Sequence, residues 1–222
     1  MKSYYTVLLF FISVTTHALK TSIIQDNFKL ITYSTEDGGT IEASLFEGKK
    51  DLVIIFAHGA VFNKESWYFL AEKLQSKGIA SLSIDFRGYG NSKTGTSNNL
   101  ALDILGAIDY LKDQGFKNIA LVGGSMGGAA ILNALELKTD EALKKVVLLS
   151  PASNKGIAST TLKKLIVVSK DEGLFDRVKT SFETSSDPKE FKIYEGSFHA
   201  QHMFKSSYAN ELTDFIVDFL TF

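Results

Sequence analysis

The sequence contains no cysteine, which excludes a disulfide framework, a thiol nucleophile, a lipid-modified N-terminal cysteine and any thiolate metal site. Its four histidines are scattered along 222 residues, a distribution that does not suit a tetrahedral zinc site. Charge of one sign is not in excess. The 24 Lys and Arg against 25 Asp and Glu leave a net charge of −1, and hence no basic footprint for a nucleic acid. No repeat, low-complexity tract or linker interrupts the chain, and beyond the N-terminal segment no second apolar span is present. What remains, 45% hydrophobic and 22% charged, is the composition of one globular domain with a sizeable core.

The N-terminus carries a location signal. Met1-Lys2 is weakly basic, Tyr4 to Val14 is apolar, and Thr16-His17-Ala18 has the small residues of a cleavage site. The apolar run is about half the length a transmembrane helix requires. This pattern predicts a signal peptide over residues 1–18 and a domain over 19–222, exported to the periplasm or secreted. An uncleaved anchor is the alternative.

Phe28 to Thr35 and Thr40 to Glu47 alternate in polarity around the turn Glu36-Asp37-Gly38-Gly39, predicting an antiparallel hairpin. The rhythm then changes. Leu52–Ala57, Ile79–Ile84, Asn118–Val122, Lys145–Leu149, Leu162–Val168 and Glu190–Tyr194 are short apolar runs, several of them continuous enough for strands covered on both faces. Helical periodicity marks Lys64–Lys77, Ser97–Gln114, Gly128–Leu137 and Phe204–Leu220. Strands alternating with helices predict an α/β fold. It has a mainly parallel central sheet with helices on both faces and an antiparallel hairpin at its N-terminal edge. Chemistry in such a sheet collects beyond the carboxyl ends of the strands.

The most informative stretch lies at one of those ends. Gly123-Gly-Ser125-Met-Gly127 follows a predicted strand and opens a predicted helix, the setting in which G-x-S-x-G exposes a nucleophile. A serine needs a base within hydrogen-bond reach. His199 sits in the loop between the last strand and the closing helix; His202 lies nearer that helix and reads as a surface or capping residue. The imidazole needs a carboxylate to fix its tautomer, and Lys170-Asp171-Glu172-Gly173 follows a strand at the correct end. Asp171 is the expected acid because its shorter reach suits a residue closer to the strand, with Glu172 as local competitor. Backbone donors should await the charge that develops on the substrate oxygen. Met126 supplies one N–H as first residue of the helix. Ala60, with Val61 in reserve, supplies the second from His58-Gly-Ala-Val-Phe62, where His58 braces the loop.

The His58-Gly59 loop, Asp85-Phe-Arg-Gly-Tyr-Gly-Asn-Ser92, the Ser125 turn, and the order Ser…Asp…His together resemble the α/β-hydrolase superfamily over residues 28–222. In that family the Arg87 loop looks structural. Many relatives insert a helical cap between the strands ending near Leu149 and Val168. Here only Pro151 to Thr161 intervenes, so the resemblance is to cap-less serine esterases and dienelactone-hydrolase-like members. Gly124 stands where bulkier residues are frequent, removing a pocket wall. The resemblance implies hydrolysis of a small-molecule ester or thioester through an acyl-enzyme, with no cofactor and no metal. Acyl transfer or amide and peptide cleavage on the same residues is the alternative chemistry. A non-catalytic binding protein that kept the fold is the alternative class.

Overall fold

A computed structural model describes residues 27–221; the expected signal peptide over 1–18 lies outside the described residues. Eight strands form one sheet in the order β1-β2-β4-β3-β5-β6-β7-β8. They are β1 (Lys29–Ser34), β2 (Thr40–Phe46), β3 (Lys49–Ala57), β4 (Ile79–Ile84), β5 (Ile119–Gly124), β6 (Leu143–Leu149), β7 (Lys163–Ser169) and β8 (Lys189–Tyr194). The first two pair antiparallel, as does β2 with β4. From β4 to β8 every pairing is parallel. The edge hairpin and the parallel body are those expected from the change of rhythm after Glu47.

Burial explains why the central strands read as continuous apolar runs. Val53, Ile55 and Ala57 of β3 face one hydrophobic cluster while Ile54 and Phe56 face the other. Helices cover both faces. Helix α1 (Tyr68–Ser76) and helix α5 (Ala209–Thr221) pack on one side through Leu70, Leu74, Leu212 and Ile216. On the other, α2 (Ala101–Asp113), α3 (Met126–Leu137) and α4 (Phe175–Glu183) contribute Ile104, Ile131 and Val178. Each such side chain, taken fully from water, favours the fold by roughly 1.5–3 kcal/mol.

Helix starts differ from the periodicity: α1 follows a 3-10 turn over Lys64–Trp67, α3 begins at Met126 and not Gly128, and two further differences have a visible cause. Helix α2 begins at Ala101 and not Ser97, because Ser97 is engaged elsewhere: its N–H and hydroxyl donate to Asp37, and its carbonyl accepts from Arg87. The closing helix is split. Ala200–Lys205 forms a 3-10 helix, and Ser206 then ends it by accepting the Tyr208 N–H at its hydroxyl and donating that hydroxyl to Met203 O, before α5 begins at Ala209. Residues 151–161 run as a loop without helix. Its start packs on the Ser125 turn through Ala152 N–H to Ser125 O, and its carbonyls at Lys155 and Ile157 accept from Ser181 and Ser186, so the rest lies against the α4 region.

Candidate active site

Ser125 joins β5 to α3 at φ 48° and ψ −110°, a left-handed backbone that costs a non-glycine residue of order 1–3 kcal/mol. Neighbouring contacts hold it there. The Ser125 N–H donates to Leu149 O, and Ser125 O accepts from Ala129 and Ala152. The flanking glycines are required by close packing: a Cβ at Gly127 would strike Ala57 O, and one at Gly123 would come within 2.6 Å of Ile131 Cδ1. The result is a half-buried hydroxyl at the carboxyl end of the sheet, directly preceding a helix N-terminus.

His199 reaches this hydroxyl from the loop after β8. Its Nε2 lies 2.8 Å from Ser125 Oγ, and its Nδ1 lies 2.6 Å from Glu172 Oε2. With Nδ1–H donating to the carboxylate, Nε2 is left to accept the serine proton. The loop is fixed on both sides of the ring, since Phe198 O accepts from Ser169 Oγ and Ala200 N–H, in a left-handed residue, donates to Ser150 Oγ. The His199 side chain stays 37% exposed, whereas that of Glu172 is 2% exposed. Glu172 Oε1 has no hydrogen-bond partner among the described residues, so its charge is directed at the imidazole alone.

The sequence reading expected Asp171 beside the imidazole; in the structure Asp171 is exposed and Glu172 makes the contact instead. Past the end of β7 the backbone keeps pairing with the β8 side, through Lys170 N–H to Tyr194 O and Asp171 N–H to Gly196 O. β7 itself ends at Ser169; these two bonds hold Lys170 and Asp171 in a turn beside the β8 side, where both are exposed. The chain then turns inward at Glu172. The extra methylene of glutamate spans the added distance to the ring.

In the loop carrying Ala60, both backbone groups of Gly59 and the carbonyl of Ala60 are committed, whereas among the described residues the N–H groups of Ala60 and of the reserve donor Val61 are not. Gly59 N–H donates to Gln201 Oε1 at 3.0 Å, Gly59 O accepts from Phe62 N–H and from His58 Nδ1, and Ala60 O accepts from Tyr89 Oη. Ala60 N–H is left without an acceptor among the described residues. Met126 N–H, first in α3, has no intrahelical acceptor. A Cβ on Gly59 would lie 3.5 Å from Ser125 Cβ, which measures how closely this loop approaches the serine. Ala60, Val61, Phe62, Asn63 and Tyr89 line an open groove of about 400 Å³ beside it, and Val61 is 80% exposed.

The other histidines are accounted for. His58 is fully buried, its Nε2 accepting from Phe86 N–H, and burial pushes its imidazole below the ordinary value; it braces the loop as a neutral ring. His202 stacks its ring at a tilt on Phe62, 5.0 Å between centroids. Arg87 is buried in a structural role, donating to Asp103 on α2 and to Asp37 in the hairpin turn. Lys64, likewise buried, joins Glu42 and Asp85. Gln201 was missed by sequence reasoning, and so was the bond by which Tyr89, otherwise read as a candidate lining of an apolar acyl site, holds the Ala60 loop. The one signal for Gln201 was the missing side chain at Gly124. Among the described residues no three His, Asp or Glu gather to hold a metal ion, and no helix is long and apolar enough to cross a membrane.

Residues 53–205 match the family model described as alpha/beta hydrolase fold. The chain is similar to the Dictyostelium discoideum protein named "Probable protein phosphatase methylesterase 1", 21% identical over 77% of this chain and 62% of that protein. It is similar to the pheophorbidase of Raphanus sativus, 28% identical over 56% of this chain and 49% of the relative. The chain thus spans about half to three fifths of these curated relatives. Among solved structures, an esterase from Exiguobacterium antarcticum superposes with a TM-score of 0.72 at 15% identity, covering 86% of this chain and 99% of the other. An alpha/beta hydrolase from a Penicillium species gives 0.71 at 18% identity, covering 88% and 99%. At these identities the structural likeness is one of fold.

Proposed function

Because the chain belongs to the alpha/beta hydrolase fold family, we propose that it is a serine hydrolase that cleaves carboxylic esters or thioesters through an acyl-enzyme. The observation that carries this reading is the hydrogen-bonded series Ser125–His199–Glu172, set beside the uncommitted Ala60 and Met126 N–H groups. Ser125 Oγ attacks the carbonyl carbon and passes its proton to His199 Nε2. Glu172 holds the ring in the tautomer that can accept it and stabilises the imidazolium. The oxygen that gains charge faces the two N–H groups. Collapse of this adduct expels the alcohol or thiol, which leaves with the proton from His199. Water then gives a proton to His199 and attacks the acyl carbon, and Ser125 recovers its proton as the acid departs.

The methylesterase and pheophorbidase named above support an ester substrate. The uncovered site supports acyl groups that need little enclosure. The basic start and apolar run of residues 1–18 support export, which N-terminal sequencing of secreted protein would test.

The deciding experiment compares the purified protein with Ser125→Ala for fluorophosphonate labelling and p-nitrophenyl acetate turnover. Both signals should vanish in the variant. Folded wild-type protein that does not label would replace this reading with a non-catalytic binding protein.

A further inference from the structure

Gln201 lies two residues beyond His199 in the 3-10 helix Ala200–Lys205 and is 5% exposed. Its carboxamide sits between two glycines. A Cβ built on Gly124 would fall 2.6 Å from Oε1 and 3.3 Å from Cδ, and one built on Gly59 would fall 3.0 Å from Oε1. The first distance is shorter than real Cβ contacts, so the carboxamide occupies the volume that Gly124, the residue before the serine, leaves open. Both ends of the amide are used. Oε1 accepts the Gly59 N–H, and Nε2 donates to Ser66 Oγ at 2.8 Å, while the Ser66 hydroxyl donates to Asn63 O. The loop from Gly59 to Ser66 is therefore anchored at two points by one side chain that belongs to the His199 segment.

The Ala60 N–H shares a peptide plane with the Gly59 carbonyl. That peptide is trans, so the N–H points away from the carbonyl, which is turned toward His58 Nδ1 and Phe62 N–H. Gln201 fixes the other side of the same residue by holding Gly59 N–H. From this geometry we infer that Gln201 is a positioning residue: it aims the Ala60 N–H at the oxyanion by clamping Gly59, and Gly124 is the vacancy that admits it. The inference rests on the serine-hydrolase reading. Base and oxyanion donor are then held in register by a single short segment, residues 199–201.

The test measures p-nitrophenyl acetate kinetics on the full chain for wild type, Gln201→Met, Gln201→Ala, Gly124→Ala and the Gly124→Ala/Gln201→Ala double variant, with melting temperatures alongside. Methionine matches glutamine in length but cannot accept the Gly59 N–H. Gln201→Met should lower kcat about 10- to 100-fold, in the range of a misdirected oxyanion donor, with KM within about threefold of wild type. Gly124→Ala should expel the carboxamide and cause a similar loss. Once Gln201 is truncated the added methyl group has room, so the double variant should be no slower than Gln201→Ala. Wild-type kcat in Gln201→Met, or losses from Gly124→Ala and Gln201→Ala that multiply, would overturn the inference. Should Gln201→Met not fold, the Gly124 and Gln201 double-variant comparison decides alone. Labelling of wild type but not Ser125→Ala keeps the hydrolase reading standing whatever these variants do; wild type that neither labels nor turns over removes both.

Discussion

Glu172 Oε2 approaches His199 Nδ1 to 2.6 Å, while the adjacent carboxylate of Asp171 is turned to solvent. Two neighbouring acids of nearly equal chemistry are thus separated by one step of backbone. Glu172→Gln should reduce kcat by on the order of 10³-fold, because an amide facing Nδ1 no longer selects the tautomer that leaves Nε2 free to accept. Asp171→Asn should stay within about twofold of wild type, as exposed substitutions generally do. Steady-state kinetics on the two variants side by side checks both; the reverse ranking would return the role to Asp171.

Arg87 tests the scaffold under the site. Its guanidinium bonds Asp103 and Asp37, with the Asp103 side chain fully buried. Arg87→Met leaves that carboxylate without its cation, at a cost of about 3–5 kcal/mol. In a domain of this size the melting temperature should fall by on the order of 10 °C. Calorimetry on wild type and variant measures it, and a drop of under about 2 °C would show the network to be dispensable.

His58 predicts a pH dependence of stability. Burial lowers its pKa in the folded state, whereas the unfolded chain takes up the proton near pH 6.5. The folded state therefore binds fewer protons below about pH 6.5, and the contribution present above that pH is lost as the medium becomes more acidic. The slope from this one group is at most about 1.4 kcal/mol per pH unit. His58→Asn should flatten the fall in stability between about pH 6.5 and pH 5, a difference that denaturant titrations at several pH values would expose. Parallel curves for the two proteins would rule out His58 as the source.

The uncovered groove predicts a chain-length profile. A methylene adds about 0.8 kcal/mol of binding only where it leaves water. The groove lined by Val61 is open, and among the described residues the 151–161 segment forms no helix that could roof an acyl tail. The kcat/KM for p-nitrophenyl esters should therefore stop rising at about butyrate. A steep rise toward dodecanoate would contradict the reading of an unenclosed site.

What could be read from the sequence follows from the range of the forces involved. The hairpin, the strand order along the chain and the Ser125 turn were legible because alternation, continuous apolar runs and glycine spacing are local. His199 was legible because, of the two histidines between the last strand and the closing helix, it lies farther from the helix and in the open part of the loop. The choice between Asp171 and Glu172 was not legible. It depends on how the turn after Ser169 is held by Tyr194 O and Gly196 O, carbonyls that belong to the end of another strand and the loop after it. Ser97 was misplaced for a similar reason, its helical pattern overridden by bonds to Asp37 and Arg87 across the fold. Gln201 needed the third dimension: Gly124 signals a missing side chain, but which residue fills that space is decided by the fold.

Among the described residues strand β8 has a neighbour on one side only, β7, and is the last strand of the sheet. Ser125 stems from β5, interior to the same sheet, and His199 from the far end of β8. The proposed nucleophile and its proposed base therefore differ in durability. Rims of sheets fray at lower free energy than their centres. Mild heat or denaturant will detach the imidazole while the serine is still held in its strained turn, so turnover will cease at a lower midpoint than the loss of helical signal. Inactivation and unfolding become two events, ordered by the distance of each group from the middle of the sheet.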